Sequence, residues 1–270
     1  VMAASLLAYY HRIRLGHVEA GLRTGDKWQP FPEEVNRRVA GVVADLHFAP
    51  TTWARENLLR EGVPDAHIVL TGNPVIDALQ AIARRPYDLS SGPLAGIPFD
   101  GLLLLVTAHR RENFGAPLER IFEALKRLAA AYGERLHIVY PVHLNPNVRE
   151  PALRMLGSLP NIHLIDPLDY LPMVHLMKRA RLVLTDSGGL QEEAPALGVP
   201  VLVMREVTER PEALQAGTAR LVGSDPERIV AEARRLLDDD GAHQAMARAV
   251  NPFGDGHAAE RIVAALLRAA

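Results

Sequence analysis

Cysteine is absent from the 270 residues, which excludes disulfides and thiolate chemistry. No apolar run approaches the ~20 residues that span a bilayer, and no signal-peptide pattern is present. Neither sign of charge is in excess: 30 Lys and Arg stand against 32 Asp and Glu, a net charge of −2. That balance argues against a broad nucleic-acid or membrane-surface role, so the expectation is a cytoplasmic protein with neither as a partner. The eleven histidines show no metal-ligand spacing and there is no His-Glu-x-x-His, so no metal is expected. Gly-x-Gly-x-x-Gly, the P-loop and the Gly-x-Ser-x-Gly elbow are missing too. No internal repeat or low-complexity tract interrupts the chain.

What is present is an ordinary globular composition, 48% hydrophobic and 23% charged, at a length that suggests about two domains. Val1–Tyr10 has a helical pattern with no N-cap before it. A strand pattern follows at 13–18, a helix at 33–43 opened by Pro32, a strand at 45–49 and a helix at 51–60 capped by Thr51 or Thr52. Then come a strand at 68–71, a Gly72-Asn73-Pro74 turn and a helix at 75–85. The proline- and glycine-rich stretch from Pro86 to Gly101 lacks periodicity and is expected to link two domains.

Beyond it the pattern becomes regular. Apolar strands at 102–107, 136–140, 162–165, 182–185, 201–203 and 219–222 alternate with helices near 117–131, 147–156, 170–179, 190–197, 209–216 and 225–238. Short buried strands alternating with amphipathic helices indicate a parallel sheet covered on both faces. The expected fold class is α/β with two Rossmann-like doubly wound domains. The boundaries are 1–88 for the first, 89–254 for the second, and a final helix within 255–270 packing back on the first.

Such sheets hold ligands beyond the carboxyl ends of their strands, and polar clusters stand there. Thr107-Ala-His-Arg-Arg-Glu-Asn-Phe-Gly115 follows the first strand of the second domain, and Pro141-Val-His143 the next. Asp186-Ser-Gly-Gly189 and Arg205-Glu-Val-Thr-Glu-Arg210 follow later ones. In the third cluster a strand turns into a short helix from Gln191, stopped by Gly198. Its first-turn N–H groups and dipole suit an anion such as a phosphate, and Gly188 and Gly189 leave the backbone uncovered. Glu192 or Glu193 can accept from a ribose diol; alternatively Ser187 caps the helix and the acids only complement its dipole. In the first domain, Glu19 ends a strand and Glu33 and Glu34 open a helix. Carboxylates so placed serve as general acids or bases, or merely favour a helix N-terminus.

The ordered segments His17-Val-Glu-Ala-Gly-Leu-Arg-Thr-Gly-Asp26, Pro32-Glu-Glu34, Thr71-Gly-Asn-Pro-Val-Ile-Asp77 and His109-Arg-Arg-Glu-Asn-Phe-Gly115 resemble the non-hydrolysing UDP-N-acetylglucosamine 2-epimerases. So do Tyr140-Pro-Val-His-Leu-Asn-Pro146, Asp186-Ser-Gly-Gly-Leu-Gln-Glu-Glu193 and Arg205-Glu-Val-Thr-Glu-Arg-Pro-Glu212. The resemblance implies a GT-B-like pair of domains with substrate in the cleft between them, no cofactor, and a homodimer. It implies interconversion of UDP-GlcNAc and UDP-ManNAc, by elimination of UDP to a 2-acetamidoglucal and re-addition, for polysaccharide synthesis. Glu19 and Glu33 would be catalytic carboxylates and His109 would lie against the sugar diphosphate. Ser187, Gly188 and Gly189 would hold the diphosphate, Glu193 the ribose, and Arg210 the sugar or phosphate end. Leu168 would meet uracil through its backbone and Met173 by packing on the ring. Family members also carry a Gly-Thr-Arg-Pro-Glu-type loop and a Gly-Asp-Thr segment ahead of the position of Val1, so the first domain is expected to be incomplete at its N-terminus. A non-catalytic nucleotide-sugar-binding module and a GT-B glycosyltransferase are the alternatives.

Overall fold

A computed structural model describes residues 1–269. The chain runs α1 (Met2–Tyr10), β1 (Gly16–Val18), α2 (Glu33–Val43), β2 (Leu46–Ala49), α3 (Thr52–Arg60), β3 (Ile68–Leu70) and α4 (Pro74–Ala83). It continues through β4 (Leu102–Thr107), α5 (Ala116–Tyr132), β5 (Leu136–Pro141), α6 (Pro146–Leu156), β6 (Ile162–Ile165), α7 (Tyr170–Arg179) and β7 (Leu182–Thr185). Then follow α8 (Leu190–Ala196), β8 (Val201–Val203), α9 (Pro211–Gln215), β9 (Ala219–Leu221), α10 (Pro226–Asp238), α11 (Asp240–Ala247) and α12 (Ala258–Ala269).

Two compact units divide the chain: residues 1–80 with 208–212 and the chain from Pro252 on, and residues 81–207 with 213–251. Both sheets are parallel, and the architecture is the expected α/β class of GT-B-like, Rossmann-type units.

In the second unit six strands lie in the order β6-β5-β4-β7-β8-β9. Chain order reverses between β4 and β7, so the crevice beyond their carboxyl ends is the topological switch point. The strands are apolar runs because both faces are covered: every residue of β7 and β8 is buried. Helix α5 contributes Leu118, Ile121, Phe122, Leu125 and Leu128 at three- and four-residue spacing to this core, and α10 adds Ile229, Ala233 and Leu236. The register sets Thr107 of β4 beside Thr185 of β7. The two hydroxyls meet at 2.6 Å, and the segments after these residues leave the sheet side by side.

The first unit holds a three-stranded sheet, β1-β2-β3, with Val18 beside Phe48 and Ala49 beside Leu70. Helix α12 packs on it through Ile262 and Ala265 against Phe48. Ala20, Leu22, Ala49, Ala54, Leu58 and Ile68 form a separate cluster. Gly21 is required there: its φ is +88°, and a Cβ would stand 2.1 Å from the Ala54 carbonyl oxygen. Thr51 caps α3 by accepting from the Ala54 N–H at 3.1 Å, as the sequence suggests.

Three local expectations differ from the structure. The strand pattern at 13–18 yields strand only from Gly16, because Arg12 turns the chain at φ +56° and the Leu15 N–H donates to the Asp45 side chain at 2.7 Å. The helix expected near 225–238 is followed directly by a further one, α11, which the sequence pattern does not suggest; Asp239 ends α10 and caps α11 by accepting from Ala242 N–H at 3.0 Å. Ser187 is not a helix cap; α8 starts at Leu190 after Gly189, with no side-chain cap.

Candidate active site

At the switch point of the second unit, Asp186 is fully buried. Its Oδ2 accepts from the backbone N–H groups of His109 (2.9 Å) and Arg110 (2.8 Å) and from Asn113 Nδ2 (3.0 Å). Asn113 also donates to the Met204 carbonyl at 3.1 Å, tying the loop after β4 to the chain leaving β8. A buried carboxylate needs this set of donors to offset its lost hydration. The other oxygen, Oδ1, lies 3.5 Å from His109 Nδ1. The His109 ring stacks on His143 with centroids 5.6 Å apart, so the clusters after β4 and β5 meet. Burial lowers the His109 pKa against the opposing pull of Asp186, with Arg110 and His143 adding to the fall. The ring is therefore neutral near pH 7 and can donate one hydrogen bond and accept another.

Ser187 follows, its N–H held by Thr185 Oγ1 at 2.8 Å. The first bonds of α8 run from Gln191 N–H to Gly188 O and from Glu192 and Glu193 N–H to Gly189 O. The N–H groups of Gly188 to Leu190 thus precede the helical ladder, where anions bind. Gly189 has φ −62° and ψ −44°, a conformation open to any residue, and a Cβ there would meet nothing closer than 3.8 Å. The fold does not require a glycine at this position. Glu193 is buried and accepts from the Tyr170 hydroxyl at 2.7 Å. Burial raises its pKa, and the Tyr170 hydrogen bond works against that rise. Leu168, before α7, and Met173, in its first turn, are both half-buried.

In the first unit Glu19 leaves the end of β1 with φ +62°, a left-handed conformation uncommon for a glutamate. Its carboxylate is 45% exposed, and Oε1 takes Asn73 Nδ2 at 3.3 Å and Arg210 Nη2 at 3.4 Å. Arg210 is buried and also donates to Glu209 Oε1 at 2.7 Å. The paired acids at the start of α2 separate cleanly. Glu34 is buried and accepts the N–H groups of Thr24 (3.1 Å) and Gly25 (3.2 Å), bracing the loop before the helix. Glu33 is exposed.

The structure therefore collects His109 and Ser187 to Gly189 at one switch point, with Glu193 in the helix that follows. It places Arg210 beside Glu19 in the first unit. Arg205 is engaged with Glu112 at 2.7 Å in the second. Sequence reasoning did not single out Asp186, Asn113, Tyr170, Asn73 or Glu209. Asp186 and Asn113 lie inside the quoted polar clusters, so strand-end position was the available signal. Tyr170 gave none, because its partner is distant in sequence.

A six-stranded parallel sheet with a polar cluster at its switch point defines a doubly wound α/β protein with a ligand site in that crevice. The family model described as UDP-N-acetylglucosamine 2-epimerase matches residues 1–267. The UDP-N-acetylglucosamine 2-epimerase of Escherichia coli K12 is 57% identical over 273 residues, which cover 98% of this chain and 72% of that protein. The crystal structure of the Neisseria meningitidis UDP-GlcNAc 2-epimerase bound to UDP-GlcNAc aligns with a TM-score of 0.92 at 44% identity, over 99% of this chain and 73% of that one. The S. aureus MnaA–UDP co-structure aligns with a TM-score of 0.92 at 48% identity, over 97% and 71%. The chain belongs to the UDP-N-acetylglucosamine 2-epimerase family. No described helix is long and apolar enough to cross a membrane.

Proposed function

We propose that the protein interconverts UDP-GlcNAc and UDP-ManNAc by eliminating UDP and adding it back. The proton on C2 is removed and the C1–oxygen bond breaks, leaving a 2-acetamidoglucal with a C1–C2 double bond. UDP then returns to C1 and a proton to the opposite face of C2. One base returning its proton to the same face would only regenerate the starting sugar, so inversion calls for two groups. Glu19, after β1, and Glu33, at the start of α2, come from different elements and fill those roles. His109 and the Ser187–Gly189 turn hold the diphosphate as leaving group, Glu193 takes the ribose diol, and Leu168 and Met173 meet uracil. Arg210 carries positive charge beside Glu19.

The observation that carries this reading is the Asp186 anchor. A buried carboxylate fixed by two backbone N–H groups and Asn113 has a neutral imidazole 3.5 Å from its other oxygen, and three residues on in the chain the Gly189 backbone is uncovered. That combination suits a diphosphate that must be bound and then released. The Neisseria meningitidis relative, solved with UDP-GlcNAc, supports the same ligand.

The test is NMR of UDP-GlcNAc incubated with the protein in deuterated water. UDP-ManNAc carrying deuterium at C2, with traces of the glucal, is the expected result. Free ManNAc and UDP would mark a hydrolysing enzyme, and binding of UDP without turnover a binding module. Turnover only when an acceptor is added would mark a glycosyltransferase. The homodimer and the cytoplasmic setting belong to this proposal as well; sedimentation at assay concentration and fractionation of the source cells test them.

A further inference from the structure

Glu209 is a carboxylate that the site as described does not use, and its setting is costly. Its side chain is only 2% exposed, and burial of a lone carboxylate would cost several kcal/mol. It is placed between two cations. Oε1 accepts from Arg210 Nη1 at 2.7 Å and lies 4.0 Å from Arg37 Nη2 on α2. Arg37 depends on that charge: its Nη1 is buried without a hydrogen bond, and burial lowers its pKa, with Glu209 the first-ranked opposing influence.

Arg210 turns toward Glu19 on its other side, Nη2 to Oε1 at 3.4 Å. A guanidinium is a rigid planar fork, so fixing one nitrogen fixes the direction of the next. Among the described residues, both hydrogen bonds to the Glu19 carboxylate fall on Oε1, from Arg210 and from Asn73. Arg37 of α2 interacts with Glu209, Arg210, Glu19 and Glu34, so these charges form one cluster; Asn73 is neutral, and Glu34 is committed to the Thr24 and Gly25 N–H groups. The series Arg37, Glu209, Arg210, Glu19 thus alternates in sign and ends on the exposed carboxylate.

We propose that Glu209 is a positioning residue: by holding Arg210 and offsetting its charge, it sets where the Glu19 carboxylate points and how readily that carboxylate takes a proton. The proposal rests on the reading of Glu19 as an acid–base group. Without the Glu209 charge, Arg210 and Arg37 act on Glu19 with less compensation, and Glu19 becomes a weaker base.

The test follows the Glu19 side-chain carboxyl by ¹³C NMR in protein labelled at glutamate, its resonance identified by loss in Glu19→Gln. Glu209→Gln keeps the shape and the acceptor oxygen but removes the charge, and its Glu19 titration midpoint is expected about one pH unit below wild type. Glu209→Asp keeps the charge and alters the shape, and its midpoint is expected to stay close to wild type. A midpoint unmoved in Glu209→Gln overturns the proposal whether or not the protein turns over substrate. Equal displacement in both variants assigns Glu209 to packing and also overturns it. A shifted midpoint in Glu209→Gln only, with no turnover by the wild type, upholds the relay and overturns the functional reading alone.

Discussion

Asp186 of the second unit and Glu19 of the first are fixed by different means. In the second, the main chain does it: strand register brings Thr107 and Thr185 together, and Asp186 is gripped by the N–H groups of His109 and Arg110. In the first, side chains do it: Glu19 is held by the ends of Asn73 and Arg210, and Arg210 in turn by Glu209. Backbone donors cannot rotate away, so the second unit suits binding with little reorganisation. A carboxylate held at one oxygen and 45% exposed keeps the freedom to exchange a proton. Binding and proton transfer place different demands on rigidity, and the proposed function assigns binding to the second unit and proton transfer to the first.

The largest expected effect tests the first unit. Glu19→Gln should lower kcat by about 10²–10⁴-fold, the usual contribution of a general acid or base, while calorimetry finds UDP affinity unchanged. A parallel loss of UDP affinity would mean that proton transfer and binding are not divided in this way. Asp186→Ala comes next, stranding the donors of His109, Arg110 and Asn113, and should cost about 3 kcal/mol or more in urea unfolding. Asp186→Asn retains an acceptor and should lose less; equal losses would show that the main-chain grip on this oxygen matters little.

Acid should weaken the first unit through His17. Burial, followed by His47, lowers its pKa from 6.5 to about 4. Between those values the unfolded chain binds a proton that the folded chain refuses, so stability rises with pH through this window and is lost as pH falls through it. The loss approaches about 3 kcal/mol at pH 4. His17→Gln should flatten urea-unfolding stability between pH 6.5 and 4, and an unchanged slope would shift the acid sensitivity to other groups. The smallest effect sharpens the picture of the second unit. Gly189→Ala should leave stability unchanged or slightly raised, since the conformation is helical and nothing stands within 3.8 Å of the new Cβ. It should still weaken UDP binding by about tenfold, measured by titration calorimetry. Normal UDP affinity would free that backbone of any ligand.

The sequence by itself determined the alternation of strands and helices in the second unit, because strands buried on both faces must be apolar along their whole length. Strands 102–107, 182–185 and 201–203 are legible to the residue for that reason. It also determined the strand-end clusters, since polar residues can follow such strands only where the chain leaves the core. The tertiary structure alone decided which members of those clusters meet. Strand order set the β4–β7 pairing and so made Asp186 the anchor of His109, a contact between residues 77 apart in the chain. Packing divided Glu33 from Glu34, one exposed and one spent on a loop, although the two are chemically identical neighbours. Arg210 pairs with Glu19 across 191 positions, and no local pattern encodes that contact, because periodicity reports which face of an element is covered and not what covers it.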